Sequence, residues 1–256
     1  MDLNQSNYNY FFMQQENIRK LFKEENLRKT VNLVFDNETI MAIHDLSEKG
    51  YIETLESIIS PGKEAFVFIA KDSSGKERAV KVYKTKTSAF KKMETYIAGD
   101  LRFEKVKKGH ELIYEWTRKE FKNLTRLSKA GIAVPKPFAF KKNVLVMELI
   151  EENGEPCKKI RENPIKNLGT FYETIVDYLS KMINAAHLIH ADLSEYNMLN
   201  RNDLPVIIDC GQAVLTTHPN AQELFERDVK NLAEYFTKKG LKKTFEEMYS
   251  DIKKKA

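Results

Sequence analysis

The sequence predicts an α+β protein of two lobes, a strand-rich one followed by a helical one. Three observations lead there. Residues 52–83 alternate short β-branched and aromatic runs with turn residues. After residue 170, apolar residues recur at helical spacing, and strand signals become scarce. The change falls just after residues 144–149, a short apolar run of the buried-strand type. The expected division is a helical extension over 1–49, a β-rich lobe over 50–150 and a helical lobe over 151–256. A junction of this kind is a common place for a ligand cleft.

Taken in order, residues 14–29 and 37–49 carry helical periodicity, and the second run ends at Gly50, suited to the left-handed position after a helix. Strands are expected around 58–59, over 65–70 and over 79–83, the last two joined by a turn at Asp72-Ser73-Ser74-Gly75. Residues 85–109 are polar, lysine-rich and weakly periodic, which reads as a mobile segment. A helix over 112–130 is closed by Gly131. A helix over 170–187 follows, with Phe171, Ile175, Tyr178, Leu179 and Met182 on one stripe, then a brief strand at 206–208. Two further helices come after Pro219 and Leu241.

Composition narrows the class. With 42% hydrophobic and 31% charged residues the chain can bury a substantial core, and no apolar run approaches the roughly 20 residues a bilayer span needs. Its first ten residues are polar and Asn-rich, unlike a signal peptide. Cys157 and Cys210 lie far apart and fit no zinc spacing, which argues against a disulfide framework. A cytoplasmic protein without membrane partners is expected. The net charge of +5, with lysines gathered at 105–108, 238–243 and 253–255, reads mainly as solvated surface.

The chemistry concentrates at residues 190–211. In His190-Ala191-Asp192-Leu193-Ser194-Glu195-Tyr196-Asn197 a carboxylate precedes an amide by five positions, and Ile208-Asp209-Cys210-Gly211 follows. Phosphoryl transfer needs an oriented acceptor and cations held against phosphate oxygens. Asp192 can accept or steer the acceptor's proton. Asp209 and Asn197 supply hard oxygen ligands for Mg²⁺ or Mn²⁺, with ATP as the phosphoryl donor. The arrangement resembles the protein-kinase pattern H-R-D-x-x-x-x-N followed by D-F-G, with Ala191 in place of the arginine and Cys210 in place of the phenylalanine. His190 reads as a structural, hydrogen-bonded residue. The architecture implied is a two-lobed protein-kinase-like fold with a reduced helical lobe and extra N-terminal helices.

The first half offers groups for the nucleotide. Ser60-Pro61-Gly62-Lys63-Glu64-Ala65 sits between strand-like runs and matches neither a Walker A loop nor G-x-G-x-x-G, yet Ser60, Gly62 and Lys63 can fold over phosphates. Lys81, between Val80 and Val82, faces away from those two valines. Glu120 shares the inward stripe of Ile113, Trp116, Leu124 and Leu127, where a carboxylate needs a partner, and Lys81 suits it. Glu148 and Ile150 are expected to offer backbone groups to adenine, with Met147 behind them.

Assembled, these residues resemble the RIO family of atypical protein kinases, in the branch with S-T-G-K-E-A and H-A-D-L-S-E-Y-N. Residues 60–65 and 190–197 carry the match, with Ile208-Asp209-Cys210-Gly211-Gln212-Ala213, Trp116-Thr117-Arg118-Lys119-Glu120-Phe121 and Glu226-Arg227-Asp228-Val229. Pro61 stands where the branch has threonine. The resemblance implies ATP binding, serine autophosphorylation and a role in maturation of the small ribosomal subunit, with pre-ribosomal particles as partners. It also implies that Asp209 accepts phosphate in an ATPase cycle, and it makes Thr85, Thr87, Ser88 and Thr95 candidate autophosphorylation sites. The short stretch between Gly211 and Asp228 leaves no room for a long activation segment. Two other readings are a small-molecule phosphotransferase of the aminoglycoside- or choline-kinase type and a nucleotide-gated assembly factor.

Overall fold

A computed structural model describes residues 35–85, 90–100, 102–103 and 108–255. The helix expected at 14–29 lies outside them, as do Thr87 and Ser88. The chain divides into two compact units, Met1–Ala89 with Lys108–Arg118 and Pro137–Leu149, and Phe90–Lys107 with Lys119–Lys136 and Ile150–Ala256.

The first unit is a five-stranded antiparallel sheet and the helix packed on one face of it. Helix α1 (Asn37–Glu48) begins at Asp36, whose carboxylate accepts the Thr39 N–H at 2.8 Å. It ends as expected at Gly50, where φ is +74°. The strands are β1 (Thr54–Pro61), β2 (Ala65–Lys71), β3 (Glu77–Tyr83), β4 (Pro137–Lys141) and β5 (Val144–Glu148), in the order β1-β2-β3-β5-β4. Alternation sends Val80 and Val82 to the face that α1 covers, where they join Ile40, Ile43, Leu46, Phe68, Val144 and Val146 in one apolar core. Each large side chain buried there contributes roughly 1.5–3 kcal/mol. Asn143 links helix to sheet, donating to Thr39 Oγ1 and to the Tyr83 carbonyl, both at 2.8 Å.

Several elements were not anticipated from sequence, among them β4 and a helix after β3. Strand β4 starts on proline, normally a break signal, and is tolerated because β4 is an edge strand. Helix α2 (Phe90–Ile97) forms within the segment expected to be mobile. Its Met93, Tyr96 and Ile97 are buried at a spacing of three and one, a short stripe that the surrounding lysines obscure in the sequence.

Helix α3 (His110–Lys129) closes at Gly131, φ +74°. In the second unit, after the two-residue strands β6 (Glu151–Glu152) and β7 (Glu155–Pro156), helices α4 (Leu168–Lys181), α5 (Ala221–Lys238) and α6 (Phe245–Lys254) pack together. Tyr172 meets Phe236 edge-on at 5.2 Å. Helix α4 leads into a π turn (Met182–Ala186) that stops at His187, φ +51°. Four short strands then follow: β8 (Leu188–Ile189), β9 (Met198–Arg201), β10 (Leu204–Ile207) and β11 (Val214–Leu215). β9 pairs with β10, and β8 with β11. This nesting brings loops 190–197 and 208–213 side by side at both ends. Among the described residues no helix is long and apolar enough to cross a membrane.

Candidate active site

Asp192 and Asn197 share the loop between β8 and β9. The Asn197 amide donates to the Asp192 carbonyl at 2.8 Å and to Asp192 Oδ2 at 3.2 Å. Gln212, from the neighbouring loop, donates to the same Oδ2 at 3.1 Å. Two amide donors on one oxygen restrain the carboxylate rotamer. Across the loops, the Ile208 N–H donates to the Asn197 carbonyl at 3.0 Å, and His190 Nε2 lies 3.2 Å from the Ile208 carbonyl. Burial pushes the His190 imidazole below its ordinary pKa, so it serves the loop as a neutral ring.

The loop is held in a conformation it would not choose alone. Ala191 has φ +69°, which costs a non-glycine residue about 1–2 kcal/mol. Asp228 on α5 sustains it: its two carboxylate oxygens accept the Ala191 and Leu193 N–H groups, both at 2.7 Å, and Arg227 donates to the Ala191 carbonyl. Asp228 is fully buried. Burial pushes its carboxyl up to about 7 against the opposing pull of those N–H groups.

Asp209 follows β10 with φ +60° and an exposed side chain. The loop behind it is gripped from α3. Lys119 Nζ donates to the Gly211 and Ala213 carbonyls at 2.8 and 2.7 Å, and Asn123 Nδ2 to the Cys210 and Ala213 carbonyls at 2.7 and 3.0 Å. Burial, followed by the nearby Arg102 charge, pulls the Lys119 ammonium down to about 7. Sequence reading passed over Lys119, Asn123 and the role of Asp228. The signal was present: positions 116, 119, 120, 123, 124 and 127 form one helical stripe, and Asp228 lies between Leu224 and Leu232 on the buried stripe of α5.

The nucleotide-side candidates of the first unit are carried by the sheet. Ser60 and Pro61 end β1, and a Cβ on Gly62 would sit 2.8 Å from the Ala65 carbonyl, so this turn requires glycine. Lys63 is exposed. Lys81 is largely buried, on the face opposite Val80 and Val82, with Nζ 4.8 Å from the Tyr83 ring centre. Met147 and Glu148 pair with Ala79 and Arg78 on β3. In the second unit Glu120 is buried at 1% exposure, and the Ile150 carbonyl accepts the Cys157 N–H at 2.9 Å, so the group Ile150 has to offer is its own N–H.

These donors fit a hard divalent cation. Asp209 presents a carboxylate, and Asn197, with its NH₂ turned to Asp192, has its amide oxygen to give. One carboxylate and one amide oxygen suit Mg²⁺ or Mn²⁺, whose other ligands are water and phosphate oxygens.

Fold and loops together define a protein-kinase-like α+β protein. A family model described as the RIO domain matches residues 66–249. The RIO-type serine/threonine-protein kinase Rio1 of Haloferax volcanii is 39% identical over 93% of this chain and 82% of its own. That of Methanocaldococcus jannaschii is 38% identical over 88% and 77% respectively. Among solved structures, the Rio2 kinase of Chaetomium thermophilum, in a complex with ADP, Mg²⁺ and phosphoaspartate, superposes with a TM-score of 0.64 at 22% identity, over 85% of this chain and 67% of that one. The chain belongs to the RIO family of serine/threonine-protein kinases.

Proposed function

We propose that the chain is an ATP- and Mg²⁺-dependent serine kinase that also hydrolyses ATP, with precursors of the small ribosomal subunit as its partners. The observation that carries the catalytic part is the double amide grip on Asp192 Oδ2, which fixes that carboxylate on a loop cross-linked to the one that carries Asp209. The ribosomal part rests on the family resemblance and on the modest positive charge.

In the proposed reaction the acceptor hydroxyl gives its proton to Asp192 Oδ1 as its oxygen bonds to the γ-phosphorus, and the bond to the β,γ-bridging oxygen breaks, releasing ADP. Asn197 and Asp209 hold Mg²⁺, which offsets the charge on the phosphate oxygens. Lys81 orients the α- and β-phosphates, Ser60, Gly62 and Lys63 cover them, and Met147, Glu148 and Ile150 receive the adenine. Glu120 is the buried carboxylate of the nucleotide-orienting set. In the hydrolytic cycle Asp209 takes the phosphoryl group in place of the hydroxyl, and water then releases it. The Rio2 kinase that shares this fold was solved with a phosphoaspartate.

Incubation with γ-labelled ATP and Mg²⁺, followed by mapping of the label, tests the reading. Acid-stable label on serine is expected for the kinase and hydroxylamine-labile label on Asp209 for the hydrolytic cycle. Absence of both, with no phosphate released, refutes the proposal.

A further inference from the structure

We infer that Asn123, keyed by Arg102, is a positioning residue for the metal-binding carboxylate of Asp209. The inference rests on the proposed reading of Asp209 as a metal ligand. Four hydrogen bonds from α3 converge on three carbonyls, Cys210, Gly211 and Ala213, within the four residues after Asp209. Asp209 lies on a short loop at φ +60°, so its carboxylate position depends on what holds the peptide groups after it.

Asn123 contributes half of that grip, and its orientation is set from outside the loop. Arg102 Nη1 donates to Asn123 Oδ1 at 2.7 Å, so the amide must present its NH₂, not its oxygen, to the Cys210 and Ala213 carbonyls. Arg102 is itself fixed by a two-pronged pair with Asp100, Nε to Oδ1 at 2.8 Å and Nη2 to Oδ2 at 2.6 Å. Asp100 is 2% exposed, and Asn123 is completely buried. Buried charge-assisted bonds of this kind are costly to leave half made. Loss of Arg102 frees the amide to turn, and loss of the amide takes one of the donors from each of two buried carbonyls. Either change loosens the peptide that carries Asp209. Outer partners of metal ligands commonly change metal affinity by 10–100-fold when removed.

The test titrates Mn²⁺ into protein saturated with a non-hydrolysable ATP analogue and reads bound Mn²⁺ by electron paramagnetic resonance. Wild type is compared with Asn123→Leu, Arg102→Gln and Asp209→Asn. Mn²⁺ affinity is expected to fall about 10-fold or more in N123L and by a smaller but measurable factor in R102Q. Affinity for the metal-free analogue should stay within twofold of wild type. A merely structural role would lower the folded fraction and not the affinity of each folded molecule. Wild-type Mn²⁺ affinity in both variants, with D209N impaired, overturns the positioning role and spares the metal assignment. Absence of nucleotide-dependent Mn²⁺ binding in wild type overturns both. Should N123L not fold, R102Q alone decides, since it leaves the buried amide in place.

Discussion

Asp228 shows how one side chain can hold a loop and also make the protein's stability depend on pH. Its carboxyl, at about 7 in the folded protein, lies well above the unfolded value of 3.8. The folded state therefore binds more protons than the unfolded one between those values. The stability this group contributes is fully present below pH 3.8 and is lost as pH rises through about 7. Lys119 has the opposite sign: at about 7 against 10.5 it binds fewer protons when folded, so its contribution grows from pH 7 upward. We predict that Asp228→Asn, which sets an NH₂ against one backbone N–H, costs about 1–3 kcal/mol. Urea unfolding should show the gap between wild type and D228N narrowing from pH 5 to pH 8. A gap that widens over that range contradicts the assigned direction. Spacing alone put Asp228 on a buried helical stripe but did not show what it holds. The sequence showed that Asp192 and Asn197 share a loop, because five residues of chain leave little choice. It did not show that Asp228, 36 positions beyond Asp192, closes the loop from behind, because that contact depends on how α5 packs.

At the level of elements, the readable parts were those with strong local signals. Helix α1 ends at Gly50 and α3 at Gly131, since a left-handed residue stops a helix whatever surrounds it. Strands β2 and β3 follow from alternation around the Asp72 turn. The parts missed were those in which tertiary packing outweighs local preference: the proline-led edge strand β4, the lysine-bordered α2 and the π turn at the end of α4. Helix α6 is a case where local chemistry contributes directly. Thr244 and Glu247 form a reciprocal capping box, and Asp251 on the same helix accepts from Tyr172 of α4 at 2.7 Å. Thr244→Ala should cost about 1 kcal/mol and lower the melting temperature by roughly 2–4 °C in calorimetry, with ATP turnover at 25 °C unchanged. A loss of turnover without a shift in melting would place α6 in the reaction and contradict its structural role.

For the whole molecule, the nested pairing of β8 with β11 and β9 with β10 matters most. It turns two sequence motifs 17 residues apart, at Asp192 and Asp209, into adjacent loops cross-linked by Gln212, Ile208 and His190. The proposed chemistry follows from that adjacency. Lys81 should serve it from the sheet unit, and Lys81→Ala is expected to lower nucleotide affinity and turnover together, as read by calorimetric ATP binding and phosphate release. The most direct measurement is single-turnover transfer of labelled γ-phosphate by wild type and by Asp192→Asn, which keeps the side chain's shape and removes its basicity. The proposed mechanism predicts a drop of about 10²–10⁴-fold in the transfer rate with nucleotide binding retained. Transfer by D192N at the wild-type rate would contradict the role proposed for Asp192 and for the loops built around it.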